Sequence, residues 1–242
     1  MARSRRGSIG FWIGLCVAVL WPLVGAFFKL RFRHLERVPP TGGVLLVTNH
    51  VSYADPLVFA RFTWDAGRVP RFLIKDSLFR FFFVGRVLHG AKQIPVSRGS
   101  VEAERSLQHA VTALERGECV CIYPEGTVTR DPDFWPMVGR TGVARLALST
   151  DMPVVPVAQW GPQHAVDVYH KRYRPFPRKE AVCSVGEPVD VSAYRGRPLT
   201  AELLRQVTDL IMGAVRDELA QVRGEPAPTA FYRRPPAARE AS

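Results

Sequence analysis

A histidine and an aspartate that stand five positions apart, His50 and Asp55, are the residues of this chain best suited to chemistry. They follow an apolar run at residues 44–47, which predicts a strand buried on both faces, and loops at the carboxyl ends of such strands commonly bind ligands. An imidazole oriented by a carboxylate can accept a proton from an alcohol near neutral pH, because its intrinsic pKa is about 6.5. Five residues along an unbroken helix would separate the two side chains by about 140°, so a strand-to-helix turn must bring them together.

The same two residues also have a purely structural interpretation. Asp55 followed by Pro56 is a common way to begin a helix, and Ser52 with Asp55 loosely fits a capping box. In that case His50 is a loop histidine without a catalytic role. The spacing alone leaves both interpretations open.

Strand and helix patterns alternate along the middle of the chain. Short apolar runs predict strands at residues 44–47, 72–74, 119–123 and 154–157. Helical patterns occur at residues 56–62, 100–116 and 141–148, and a long amphipathic stretch follows a cap at Thr200. This order predicts an α/β domain at residues 39–222, with a mixed, largely parallel central sheet flanked by helices. Residues 223–242 are basic and rich in proline, which predicts a mobile tail.

The first 38 residues form a segment of different character. Residues 7–28 are 22 consecutive uncharged positions, and as a helix they would reach about 33 Å, close to the thickness of the bilayer's hydrocarbon core. Pro22 lies inside this run, and arginines and lysines stand on both sides of it. We therefore expect residues 1–38 to be a membrane-associated apolar helix, or a helical hairpin broken near Trp21 that returns to the same side. A single span and a cleaved signal peptide are the alternatives.

The composition is that of a folded, basic protein. Of the 242 residues 47% are hydrophobic, enough for a sizeable core, so a disordered chain is excluded. The formal net charge of +11 favours a polyanionic partner or an anionic membrane surface. The four cysteines have no C-x-x-C spacing, which predicts buried free thiols rather than a disulfide framework or a cysteine zinc site.

Four sequence blocks together make the chain resemble a known family. The H-x4-D pair is followed, in the family's order, by residues 90–98 (GAKQIPVSR), residues 123–127 (YPEGT) and residues 154–157 (VVPV). The ordered set spans residues 49–157 and resembles the glycerolipid acyltransferase superfamily, which contains 1-acylglycerol-3-phosphate O-acyltransferase and glycerol-3-phosphate acyltransferase.

The resemblance implies a role for each block. His50 is expected to act as general base on an acceptor hydroxyl, and Asp55 to hold its ring. Arg98 is expected to contact the acceptor phosphate through its forked donors, with a surface ion pair as the alternative. The residues of the third block implicated in acceptor binding are Glu125, Gly126 and Thr127.

One position departs from the family's pattern. Many relatives place an arginine directly after the threonine of the third block, whereas this chain has Val128 there and its next arginine at Arg130. We expect Arg130 to make the phosphate contact instead. Lys75, after a predicted strand, either adds positive potential at the site or is a solvated lysine.

The resemblance also implies the reaction, the partners and the location. We expect a fatty acyl group to move from acyl-CoA or acyl carrier protein to the free hydroxyl of lysophosphatidic acid, giving phosphatidic acid, with no metal and no further cofactor. The expected partners are anionic membrane lipids, the lysophospholipid acceptor and the acyl donor, with the catalytic domain on the cytoplasmic side of the cell membrane. The alternatives are another acceptor (glycerol 3-phosphate, another lysophospholipid or a glycolipid) and a membrane lipid-binding protein without catalysis.

Two further segments bear on the partners. Residues 169–179 interleave basic and aromatic residues as nucleic-acid binders do, but next to an apolar segment we interpret them as a loop facing lipid headgroups and expect no nucleic-acid partner. The phenylalanines at positions 79 and 81–83 are expected to line an acyl channel, face lipid or fill the core.

Overall fold

The computed structural model describes residues 10–97 and 100–233. The strands in this part of the chain are β1 Phe28–Arg33, β2 Val44–Thr48, β3 Pro70–Lys75, β4 Ile94–Val96, β5 Cys119–Ile122, β6 Val154–Trp160, β7 Val166–Asp167, β8 Arg172–Tyr173 and β9 Lys179–Val185. The α-helices are α1 Phe11–Phe27, α2 Asp55–Asp65, α3 Phe82–Gly90, α4 Ser100–Glu115, α5 Gly142–Ser149 and α6 Ala201–Arg223.

Seven strands form one sheet in the order β1-β9-β6-β2-β5-β3-β4. Every neighbouring pair in this described sheet is parallel except β6 with β9, which is antiparallel. Strands β7 and β8 form a separate two-stranded ribbon. The mixed, largely parallel sheet expected from the sequence is therefore confirmed.

Helices cover both faces of the sheet, and β2 shows why its sequence is continuously apolar. All five of its residues are buried. Leu45 and Val47 point into a core formed with α4, α5 and α6, whereas Val44 and Leu46 point into a second core that includes residues of α2. Because side chains alternate across a strand, a strand covered on both faces must be apolar at each position. The loop that follows β2 therefore begins at the carboxyl edge of the sheet.

The strongest sequence patterns correspond to elements of the structure. The four apolar runs coincide with β2, β3, β5 and β6, and the helical patterns coincide with α2, α4, α5 and α6. Thr200 caps α6, since its side chain accepts a hydrogen bond of 3.1 Å from the backbone N–H of Leu203. Strands β1 and β9 were not predicted, because β1 alternates polar with apolar residues and β9 begins with two charged residues.

The break predicted near Trp21 is wrong, because α1 continues through Pro22 to Phe27. The residues on either side of the proline are held by packing: the Trp21 ring meets Trp64 of α2 edge to face at 5.9 Å, and Val24 is buried. The chain then enters β1 at Phe28, so residues 10–33 contain one apolar helix followed by a strand and no returning apolar arm. None of the helices in the described ranges combines the length and the apolar character needed to cross a bilayer.

The division of the chain at residues 38 and 222 stays a prediction. Strand β1 lies within the first segment yet pairs with β9 along its whole length, at the end of the central sheet. After α6, Tyr232 forms a β-bridge with Met137. Described residues of both flanking segments therefore contact the middle of the chain.

Candidate functional site

His50 and Asp55 form a hydrogen-bonded pair at the carboxyl end of β2. His50 follows the strand by two residues, and Asp55 is the first residue of α2. Nδ1 of His50 lies 2.9 Å from Oδ2 of Asp55. The turn between them closes with a 3.1 Å hydrogen bond from the N–H of Asp55 to the carbonyl of Ser52. The strand-to-helix turn thus brings together two side chains that an unbroken helix would hold apart.

Only part of the capping interpretation fits this geometry. Asp55 is not the N-cap of α2, because Ala54 stands there, but Ser52 and Asp55 make the contacts of a capping box in the turn ahead of the helix. Asp55 accepts hydrogen bonds from N–H groups that precede α2, those of Val51 at 2.5 Å and Ser52 at 2.8 Å. The Ser52 hydroxyl donates to the carbonyl of Val166 and accepts from the N–H of Ala54. These contacts lie in the turn before α2, so the Asp55 carboxylate organises the loop that carries His50 as well as the start of the helix.

The Asp55 carboxylate is wholly buried, and its oxygens are used unequally. Oδ2 accepts from the His50 ring and from both loop N–H groups, whereas Oδ1 has no hydrogen-bond partner among the described residues. Burial raises the pKa of Asp55, and the hydrogen bond from His50 opposes that rise. When Asp55 is ionised, Nδ1 of His50 carries the proton it donates, and Nε2 keeps a lone pair free to accept another.

Glu125 braces the same loop from β5. One carboxyl oxygen accepts from the backbone N–H of His50 at 2.8 Å, and the other accepts from the N–H of Met137 at 2.9 Å. The residue is only 4% exposed, and burial raises the pKa of Glu125 to about 8 despite the two N–H donors. The sequence predicted an acceptor contact for Glu125, but the structure places its carboxyl between two backbone segments. It acts on His50 through the main chain.

A second polar network fixes the end of β2 against β6. The Asn49 side chain exchanges two hydrogen bonds with the backbone of Gln159, at 2.9 and 2.8 Å. The Gln159 amide in turn donates to the hydroxyls of Thr48 and Tyr123, at 3.1 and 3.2 Å. Because these polar groups are hydrogen-bonded to one another, they can be buried at the edge of the apolar sheet at little energetic cost. The loop that carries His50 is therefore attached to both strands that flank β2.

The ring of Tyr123 lies against the imidazole. The centroids of the His50 and Tyr123 rings are 4.4 Å apart, with a tilt of 37° between their planes. Burial raises the pKa of the Tyr123 hydroxyl well above its ordinary value, so the group stays neutral. One face of the imidazole is thus covered, and the His50 side chain is only 14% exposed.

A pocket of about 370 Å³ with basic residues lies at the carboxyl ends of β3, β4 and β5. Its cations are Lys75, Arg140 and Arg145. Pro124 and Gly126 also line it, and they flank Glu125 in the chain. We call this space the basic pocket. It adjoins the turn that braces His50.

An apolar pocket of about 220 Å³ lies among α1, α2, α3 and β3. Its lining includes Cys16, Leu57, Trp64 and Phe72, and one end reaches Pro56, the residue after Asp55. Phe81, which precedes α3, and Phe82 and Phe83, which begin it, lie outside this pocket. Their exposed fractions are 61%, 81% and 67%. The core interpretation of these three residues is therefore wrong, and they do not line this pocket.

The remaining residues predicted from the sequence lie in different surroundings. Arg98 is outside the described residues. Gly126 lines the basic pocket, and Thr127 is half-buried beside it in the chain. The guanidinium of Arg130 lies 5.7 Å from the centroid of the Tyr169 ring, and Arg130 is not among the residues that line the basic pocket. The loop that begins at Tyr169 is largely exposed.

Sequence reasoning missed Arg140 and Gln159 as parts of the site. Gln159 follows the predicted strand at residues 154–157, so a polar residue inside a buried run was the available signal. Arg140 gave no comparable signal, since an arginine in a loop before a helix is ordinary. The four cysteines are free thiols, three of them buried, as expected.

The raised pKa of Glu125 predicts a pH-dependent stability. Between about pH 4.5 and 8, Glu125 is protonated in the folded chain and ionised in the unfolded chain. The free energy of unfolding should therefore fall as pH rises through that window. Replacing Glu125 with Gln removes this titration and should flatten the profile measured by urea unfolding. It should also destabilise the fold by about 1–3 kcal/mol at the acid end, since an amide accepts from only one of the two N–H groups.

Glu115→Gln is the matched control, because Glu115 is an exposed carboxylate on α4. It should retain the wild-type profile. Parallel profiles for the wild type and Glu125→Gln would contradict the prediction.

The sequence matches a family model over more than half of its length. The model, described as Acyltransferase, covers residues 29–160. A 1-acyl-sn-glycerol-3-phosphate acyltransferase of Borreliella burgdorferi is 31% identical over 143 residues, 59% of this chain and 54% of that protein. A protein of the same name from Bacillus subtilis is 23% identical over 205 residues, 84% of this chain and 94% of that protein. The chain thus spans about half the length of the Borreliella relative.

A solved structure has the same fold. The 1-acyl-sn-glycerophosphate acyltransferase PlsC from Thermotoga maritima aligns with a TM-score of 0.60 and 21% identity, over 87% of this chain and 82% of that one. The match to the family model includes β2, the His50–Asp55 pair, the Glu125 brace and most of the central sheet. This chain belongs to the acyltransferase family.

Proposed function

We propose that the protein transfers a fatty acyl group from acyl-CoA or acyl carrier protein to the free hydroxyl of lysophosphatidic acid, giving phosphatidic acid. The observation that carries the proposal is the hydrogen bond between Nδ1 of His50 and the buried carboxylate of Asp55. It leaves Nε2 as the atom able to accept a proton. The names of the Borreliella and Bacillus relatives, both 1-acyl-sn-glycerol-3-phosphate acyltransferases, support this acceptor.

The chemistry follows from the orientation of the imidazole. Nε2 of His50 removes the proton from the acceptor hydroxyl as its oxygen attacks the thioester carbonyl. Asp55 stabilises the imidazolium that forms. As the tetrahedral intermediate collapses, the carbon–sulfur bond breaks and the imidazolium protonates the departing thiolate, which restores the base. No acyl-enzyme is needed, and we expect no metal.

Two environments suit the two ends of a lysophospholipid. The apolar pocket begins at the residue after Asp55, and the basic pocket adjoins the Glu125 turn. We propose that acyl chain occupies the first and that phosphate is held near the second. Arg98 is proposed as an additional phosphate contact, on the strength of the family motif alone.

An acceptor other than lysophosphatidic acid is the second candidate. It is favoured by Val128, which is 1% exposed and stands where many relatives have an arginine. Glycerol 3-phosphate, another lysophospholipid or a glycolipid would use the same base and the same thioester.

We also propose that the protein binds the cytoplasmic face of an anionic membrane. Helix α1 exposes Phe11, Val19 and Leu23, and Phe81–Phe83 form a second exposed apolar group. Arg86 lies over the Phe82 ring at 5.5 Å, which sets a cation beside that group. Exposed aromatic residues next to cations are suited to the interface between acyl chains and anionic headgroups.

The reaction is tested with detergent-purified full chain. Thiol release from palmitoyl-CoA is measured with and without lysophosphatidic acid, and the lipid product is identified by mass spectrometry. Release that depends on the acceptor and yields phosphatidic acid is expected. Turnover with monoacylglycerol or glycerol 3-phosphate, but none with lysophosphatidic acid, would replace the proposed acceptor.

Replacing His50 with Ala should lower kcat by at least about 100-fold, because proton transfer by a positioned base contributes about 10² to 10⁴ in rate. The thermal unfolding transition should change little. His170→Ala is the matched control, since His170 forms a similar 2.7 Å contact with Asp167 on the surface. Wild-type turnover by purified His50→Ala protein would rule out this mechanism.

Replacing Phe81, Phe82 and Phe83 together with Ser should weaken binding to phosphatidylglycerol vesicles by about tenfold or more, because burying one Phe side chain contributes about 1.5–3 kcal/mol. Sedimentation of the full chain with vesicles measures this. Leu199→Ser, at an exposed apolar residue outside this group, is the control. Equal vesicle binding by the triple variant would exclude Phe81–Phe83 from the membrane surface.

A further inference from the structure

The three cations of the basic pocket come from separate parts of the chain. Lys75 ends β3, Arg140 precedes α5, and Arg145 lies within α5. Over the described ranges, none of the three forms an ion pair with a carboxylate, in contrast to Arg71, which pairs with Glu118 at 2.8 Å. Three unpaired positive charges around one concave space make it attractive to an anion.

Arg140 is held against the turn that follows Glu125. Its backbone N–H donates to the carbonyl of Pro124 at 2.8 Å. A Cβ atom at Gly126 would lie 2.8 Å from Nε and 3.2 Å from Cζ of Arg140, so the guanidinium rests directly on the glycine. Gly126 also has φ of +69°, a conformation that favours glycine. The glycine therefore permits both the turn and the approach of the guanidinium.

The arginine that the family pattern predicts directly after Thr127 is missing from this chain. Val128 is buried in its place, and Arg130 lies over the ring of Tyr169. Arg140 approaches the same turn from the loop that leads into α5, and its side chain remains exposed to the pocket.

We infer that Arg140 determines acceptor specificity, by binding a phosphate group in the basic pocket in place of the arginine that many relatives carry after the threonine. Lys75 and Arg145 add charge to the same site. The inference rests on the proposed function, since it deepens the choice of acceptor. The acceptor and CoA both carry phosphate. The acceptor is the favoured source, because Gly126 adjoins Glu125, which holds the His50 backbone.

The first test compares specificity in the detergent-purified full chain. Arg140→Gln should lower the ratio of kcat/KM for lysophosphatidic acid to kcat/KM for monoacylglycerol by about tenfold, since a charge-assisted hydrogen bond is lost. The KM for palmitoyl-CoA should stay constant. Arg140→Lys should recover part of the ratio, and Arg116→Gln, an exposed arginine at the end of α4 away from the pocket, should match the wild type.

A second variant leaves Arg140 in place. Gly126→Ala should displace the guanidinium and lower the same specificity ratio, and circular dichroism establishes whether the variant is folded. An unchanged ratio in Arg140→Gln, or a loss in Arg130→Gln instead, would overturn the inference. A raised KM for palmitoyl-CoA with an unchanged ratio would assign the pocket to CoA and also overturn it.

Equilibrium binding separates this inference from the proposed function. Isothermal titration calorimetry measures binding of lysophosphatidic acid without an acyl donor. Weaker binding by Arg140→Gln than by wild type supports the inference, whether or not turnover is found. A lack of turnover with every donor would refute only the proposed reaction. Equal binding by the two proteins, or no binding by wild type, overturns the inference.

Discussion

The hydrogen bonds to one oxygen of Asp55 are the constraint on which the site depends. A carboxylate with no exposure is costly unless donors replace the lost water, and here the His50 ring and two backbone N–H groups supply them. Those N–H groups converge only because the chain turns sharply from β2 into α2. The orientation of the imidazole and the shape of the loop are therefore consequences of the same buried charge.

His50 lies between two buried acidic side chains that hold it in different ways. Asp55 bonds the ring, and Glu125 bonds the backbone N–H. The negative charge of Asp55 also contributes to the raised pKa of Glu125. Burying both carboxyls in one region is costly, but it fixes the main chain and the side chain of His50 independently. The position and the orientation of the His50 ring are thus set by separate contacts, as its proposed role of general base requires.

The sequence predicted the parts of this arrangement that depend on local order along the chain. The apolar run of β2, the H-x4-D spacing and the cap at Thr200 each show a pattern within a few residues. Strands β1 and β9 were missed because β1 alternates in polarity and β9 begins with two charged residues, and their pairing joins residues about 150 positions apart. The position of Arg140 was missed because it depends on the positive φ of Gly126 and on the contact between that glycine and the Arg140 side chain. Neither can be read from the spacing of residues in the sequence.

Strand β3 separates the two pockets by the simplest property of a strand. Phe72 and Ile74 line the apolar pocket, and Leu73 and Lys75 line the basic pocket. Because successive side chains point to opposite faces, one short strand contributes to both environments without mixing them. Lys75 and Ile74, at the carboxyl end of β3, bring the two pockets to the same edge of the sheet, where the proposed substrate would place its phosphate and its apolar chain. His50 lies at that edge because β2, parallel to β5 and through it to β3, ends there as well.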